Sequence, residues 1–135
     1  MVVAQTHFLI LHYFADEQTV KVEWLSTSAE MNSEAFKTQV QLEHRVFSTY
    51  KPKYILAQTE QMHYTISPRE QEWHNALIMP VFQNIGLRKL AIVVSRDLFT
   101  QVSINQTLEN ETATNSFKTR HFESLLEAQQ WLSQE

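Results

Sequence analysis

Residues 67–99, SPREQEWHNALIMPVFQNIGLRKLAIVVSRDLF, hold a helix start, a helix stop and a buried strand in one run. Ser67-Pro68-Arg69-Glu70 has the form of a capping box with proline at the first helical position. The serine hydroxyl can accept from a free backbone N–H, and Glu70 can reach back to the serine's own N–H. Trp73, Leu77, Val81 and Ile85 follow at four-residue spacing, with Pro80 inside the helix and expected to kink it. Gly86 supplies a left-handed residue at the helix end. Residues 90–94, LAIVV, are wholly apolar, as a strand covered on both faces is. Helix, stop and buried strand form the repeating unit of an α/β domain. Gly86 is also the only glycine of the chain. That excludes glycine-rich phosphate loops and the G-x-S-x-G nucleophile elbow.

On the N-terminal side of this run, residues 54–57 (YILA) read as another central strand. Before it, Phe36, Val40, Phe47 and Tyr50 mark one stripe of a long helix that follows Ser33 and stops at Pro52. Residues 7–14 and 19–25 read as two strands joined by the polar turn Ala15-Asp16-Glu17-Gln18. In the second, Val20, Val22 and Trp24 or Leu25 alternate with Lys21 and Glu23, so one face is expected to be wetter. Residues 26–32 read as a linker. On the C-terminal side, Asp97 is placed to cap a helix over about residues 98–108, although the periodicity there is weak. A polar loop at 110–115, an edge strand at 118–122 and a second capping box, Ser124-Leu125-Leu126-Glu127, follow. That box opens a final helix with Leu125, Ala128 and Leu132 on one face.

The expected order is β-β-α-β-α-β-α-β-α. This makes a mixed, mostly parallel five-stranded α/β sheet with covering helices, its first strand antiparallel at or near an edge. A length of 135 residues predicts one domain spanning 1–135, and a 43% hydrophobic content suits a packed core. The net charge of −4 without a basic stripe argues against duplex nucleic acid as a partner. The absence of cysteine excludes disulfides, thiol catalysis and cysteine-bound zinc. The opening MVVAQTHFLILHYF reads as a strand rather than a signal peptide, no run has membrane-spanning length, and a reducing cytoplasm is the expected setting.

The element order resembles the STAS superfamily, in the branch described as sporulation stage II protein AA-like or STAS/SEC14-like. The pieces that carry the resemblance are the hairpin ending in VEW, the KYILAQT strand, the SPREQEW helix start and the Pro80-to-Gly86 segment. The RKLAIVV strand and the closing FESLLEAQQWL complete them, so nearly the whole chain is covered. The resemblance implies a non-enzymatic regulatory or protein-interaction module. In relatives of anti-sigma-factor pathways, a serine at a helix start in an Asp-Ser-Ser/Thr-Gly turn is phosphorylated. This chain has Glu60-Gln61-Met62-His63-Tyr64-Thr65-Ile66-Ser67 there; Ser67 stands at a similar position without the motif.

Ligands of open α/β sheets sit beyond the carboxyl ends of parallel strands. Here that edge holds residues 58–67 and 95–97. Gln58, Thr59, Met62, His63, Tyr64, Ser67 and Arg96 are therefore the candidate ligand- or partner-binding residues. Arg96 is an anion acceptor in one reading and a solvated charge in the other. Ser67 is a phosphoacceptor or simply a cap. Glu70 and His74, four apart, are an acid–imidazole couple, half a metal site with His63, or a structural hydrogen bond. No dense ligand spacing supports a metal, and neither a cofactor nor a catalytic residue is expected. Phe36, Phe47, Tyr50, Trp73, Phe82 and Trp131 line a pocket for a small apolar ligand or lipid, or form the core. An exposed edge strand makes a homodimer an option.

Overall fold

A right-handed crossover that repeats in one direction along a parallel sheet leaves every connecting helix on the same face. The computed structural model, which describes residues 1–112 and 117–134, has this arrangement. Its elements are β1 (Val2–Gln5), β2 (Leu9–Phe14), β3 (Thr19–Trp24), α1 (Ser33–Tyr50), β4 (Tyr54–Gln58) and α2 (Pro68–Ile85). There follow β5 (Lys89–Val93), α3 (Leu98–Thr112), β6 (Lys118–Phe122) and α4 (Leu125–Ser133), and a 3-10 turn spans Ser26–Glu30. All six strands form one sheet in sequential order, with β1, β2 and β3 antiparallel and β3 to β6 parallel.

Alternate residues of the central strands β4 and β5 feed two cores, one on each face of the sheet. Leu9, Leu11, Val20, Val22, Ile55, Leu90 and Ile92 meet α1, α2 and α3. Leu56, Ala91, Val93 and Phe122 meet Ala128 and Leu132 of α4 on the opposite face. Both β4 and β5 are thus covered on two sides, which is why they read as unbroken apolar runs. The outer face of β2 and β3 carries His12, Lys21 and Glu23, all partly exposed, as the alternation in β3 predicts. No described helix is long and apolar enough to cross a membrane.

The sheet has six strands rather than five. The opening run is split by Thr6, whose hydroxyl accepts from the backbone N–H of Phe8 (3.0 Å) and Leu9 (3.2 Å) and donates to Gln39 Oε1 (2.7 Å). A hydroxyl turn between strand formers carries no glycine or proline signal. β1 lies at the edge, and a bulge between Val2 and Ala4 breaks its register with β2. The edge strand at 118–122 and the final helix capped by Ser124 stand where the sequence places them, while the third helix is longer than expected. α3 runs to Thr112, three residues into the expected 110–115 loop, and residues 113–116 lie outside the described ones. Ser124 caps α4 by accepting from Glu127 N–H, but its hydroxyl also meets the Glu127 carboxylate, so the reciprocal half of the box is replaced.

α2 runs unbroken through Pro80. Pro80 and Ala76 are both exposed, on a side where a carbonyl lacking its donor is hydrated. As the middle helix, α2 has two covered flanks. Trp73 faces Lys37 of α1, and Gln71 and Asn75 bond to α3. Its buried residues therefore widen to Glu70, Gln71, Ile78, Val81 and Phe82, while Trp73, Leu77 and Ile85 sit at the margin.

Gly86 ends α2 at φ 67° with open space where a Cβ would stand. Gly86→Ala is expected to keep the fold and destabilise it by roughly 1–2 kcal/mol through backbone strain alone. Chemical denaturation, with an unchanged m-value, checks this.

Candidate functional site

The carboxyl edge of β4 and β5 brings the two predicted segments together. Thr59 donates its hydroxyl to the carbonyl of Val93, Ser95 donates to the carbonyl of Met62 (2.9 Å), and His63 Nδ1 lies 3.6 Å from Asp97 Oδ2. Two further ties come from the flanks. Ser28 Oγ accepts from His63 N–H (2.9 Å), and Ser103 Oγ of α3 accepts from Ile66 N–H (2.9 Å). Four hydroxyls thus fix a segment that contains no glycine.

Most of the predicted site residues serve this scaffold. Met62 is 2% exposed and belongs to the core, so it offers no apolar patch to solvent. Thr59 is buried. Tyr64 stacks on Phe36 at 5.0 Å and donates its hydroxyl to Glu70 Oε2 at 2.5 Å. Ser67 is the N-cap of α2 in a complete capping box, accepting from Glu70 N–H (3.2 Å) while Glu70 Oε1 accepts from Ser67 N–H (2.9 Å). Gln58 donates to Glu60 (3.1 Å), and its own amide oxygen is buried without a partner. His63 and Arg96 remain exposed.

The electrostatics follow from these bonds. Burial pushes the Tyr64 phenol up, and the adjacent Glu70 carboxylate pushes it further. Burial works to raise Glu70, but hydrogen bonds from Tyr64, Ser67 and Ser33 outweigh it and hold the carboxyl below its usual range. The Thr100 hydroxyl is the main cause lowering Asp97, with backbone N–H groups and His63 adding to it. Glu70 is therefore an ionised structural acceptor.

Its neighbour on the helix, His74, has a different environment. The Asn75 amide donates to Thr107 O (3.2 Å), which turns the Asn75 oxygen toward His74 Nδ1 at 3.0 Å. This network places a proton on Nδ1. Burial lowers the His74 pKa, so the neutral ring is favoured.

His74 also lines a cavity of about 100 Å³ between the helices and the sheet. Phe36, Val40 and Phe47 of α1 and Ile78 and Phe82 of α2 form its walls. Val22, Ile55 and Ile92 form its floor. Glu43 lies on the same stripe of α1 as Val40 and Phe47 and joins His74 on the lining. Both are partly exposed, so the polar end of the cavity is where α1 and α2 approach solvent. Of the six aromatics read as pocket or core, Phe36, Phe47 and Phe82 line the cavity. Tyr50 and Trp73 border the same core, and Trp131 lies under the opposite face with Phe122. Neither Glu43 nor the apolar start of α3 stands out in the sequence. Glu43 resembles any polar residue of a surface helix until its i+4 relation to Phe47 is read as a cavity stripe.

α3 is packed with its polar side inward. Thr100, Ser103 and Thr107 are at most 3% exposed, while Leu98, Phe99 and Val102 are 72%, 73% and 44% exposed. The buried hydroxyls are satisfied within the helix and by its neighbours: Ser103 donates to Thr100 O, Thr107 to Ser103 O and Thr100 to Asp97. The apolar trio stands beside Arg96 and the His63–Asp97 pair. No group of three or more potential metal ligands occurs among the described residues.

Comparison with family models, curated proteins and solved structures finds no match to this chain.

Ser67→Ala is expected to cost on the order of 1 kcal/mol through loss of the cap, and Ser67→Asp to retain the fold because aspartate also caps; urea denaturation of both variants checks this. His74 also sets a pH dependence. With its folded pKa below the ordinary value of 6.5, the unfolded chain takes up the proton first as pH falls. Stability should be flat above that value and decline below it, with His121, also lowered by burial, adding in the same direction. Denaturation at about pH 5 and about pH 7.5 should show a smaller difference in His74→Gln than in the native chain. An equal difference in both would mean that His74 is hydrated.

Proposed function

We propose that this chain is a non-enzymatic interaction module, similar in kind to STAS regulatory domains. It engages a protein partner at the carboxyl edge of its parallel strands. The observation that carries this reading is the inverted packing of α3. Three large apolar side chains are held in water on consecutive turns while three hydroxyl residues are buried beneath them. Burying Leu98 and Phe99 inward instead would be worth about 1.5–3 kcal/mol each, so their exposure is a cost that a bound partner removes.

The contact surface in this reading is Leu98, Phe99 and Val102 with Arg96 and His63 at its rim. It suits a partner segment that presents an apolar side chain next to a carboxylate. Ser67 acts as a helix cap, and the missing Asp-Ser-Ser/Thr-Gly turn argues against a phosphoswitch there. Residues Gln58, Thr59, Met62 and Tyr64 hold the surface in place from below.

Phe99→Asp tests the reading, with Leu126→Asp as control, since Leu126 is 64% exposed on α4 across the sheet. Both variants should unfold within about 0.5 kcal/mol of the native chain, because neither side chain is packed. Affinity capture followed by a purified binding assay should show a partner lost at least tenfold in Phe99→Asp and retained in Leu126→Asp. Light scattering on the same samples reports whether that partner is a second copy of the chain. Equal binding by both variants would remove α3 from the interface.

A further inference from the structure

The bonds already held by its polar lining close the cavity under α1 and α2 to hydrogen-bonding ligands. Its hydroxyl, imidazole and carboxyl groups are those of Thr59, Thr107, His74 and Glu43. Thr59 donates its hydroxyl hydrogen to Val93 O, and Thr107 donates its own to Ser103 O. The Nδ1 proton of the neutral His74 ring goes to the Asn75 amide oxygen. Glu43 and His74 are both engaged within the protein. None of these side chains brings a free donor hydrogen into the chamber. A polar ligand group seated there would give up its water with no donor to replace it, which disfavours it.

The remaining lining offers packing alone. Val22, Val40, Ile55, Ile78 and Ile92 supply aliphatic contacts to an occupant. The Phe36, Phe47 and Phe82 rings favour a flat body that stacks on them or meets them edge-on. Size narrows the occupant. At about 100 Å³ the chamber is of the order of the roughly 150 Å³ apolar cavity that stays dry and takes up benzene, and well below the roughly 300–1,000 Å³ of sites for drug-sized ligands. One ring fits; an acyl chain does not. We infer that this cavity binds a neutral, apolar, single-ring molecule that is held by packing and makes no hydrogen bond. The site is separate from the α3 surface, and neither assignment depends on the other.

The test uses toluene, phenol and decanoate as probes, read by methyl NMR of the full chain. Toluene should shift the methyl resonances of Val40, Ile78 and Ile104 saturably, and decanoate should not. Phenol has nearly the same size as toluene but carries a hydroxyl, and it should bind weaker by roughly tenfold or more because that group loses its water. Val40→Phe, folded by circular dichroism, should abolish toluene binding by filling the chamber. The toluene and phenol titrations of the native chain decide alone should Val40→Phe fail to fold. Absence of saturable shifts at these methyls with toluene would overturn the assignment. So would phenol binding as tightly as toluene, preferential binding of decanoate, or unchanged toluene binding in folded Val40→Phe.

Discussion

The hydroxyl ties of the β4–α2 loop are the constraint on which the upper edge of the molecule depends. A chain with one glycine cannot turn by adopting left-handed backbone wherever it must. Gln18 and Lys51 take left-handed backbone without being glycine, but the turns of this loop are closed by short polar side chains that stand in for backbone partners. Thr59, Ser95, Ser28 and Ser103 each satisfy a backbone group of the edge, and three of the four tie the loop to a different element: β5, the segment before α1, and α3. Since a buried backbone donor or acceptor left without a partner costs about 1–3 kcal/mol, the loop has few alternative paths. The rigidity that glycine-rich loops obtain from backbone geometry is obtained here from packing and side-chain hydrogen bonds.

That device also explains which parts of the architecture could be read from the residues and which could not. Ser67-Pro68-Arg69-Glu70 and Gly86 announce α2 because capping is local, and the runs at 54–57 and 90–94 announce β4 and β5 because burial on both faces leaves no polar position. The break at Thr6 is silent because its signal lies in where a hydroxyl points. Tyr64 as the partner of Glu70 was equally hidden. Spacing along the helix offers His74 four residues on, whereas the phenol arrives from the preceding loop, where Phe36 orients its ring. α3 has weak periodicity for a physical reason. Its buried side is threonine and serine with, among the described residues, the single apolar residue Ile104, and its solvent side is partly leucine, phenylalanine and valine, so the hydrophobic pattern does not mark the covered face.

The cavity presents the complementary problem. Each residue around it reads as core, and core it is; the space appears only when three helices and the sheet are assembled. An empty volume of this size costs about 2 kcal/mol at roughly 24 cal/mol per Å³, a substantial fraction of a stability that is about 5–15 kcal/mol for a typical domain. Enlarging Val40, Val22 or Ala57 would fill it without changing the pattern of any element. That the lining instead keeps smaller residues next to Glu43 and His74 is a local departure from close packing, the kind that functional sites impose on an otherwise consistent fold.

The cavity and the carboxyl edge also share material. Thr59, Met62 and Ile66 line the chamber from the loop that holds the edge, and Ile104 lines it from α3, two residues beyond Val102. The path between them is short: Ser103, between Val102 and Ile104, bonds the loop at Ile66, and Ile66 forms part of the chamber wall. Whatever displaces this loop alters both places at once, since the loop has one bonded arrangement rather than a continuum. Linkage makes any such effect reciprocal. A free-energy difference that occupancy of the chamber imposes on the α3 surface is the same difference that contact at the surface imposes on the chamber.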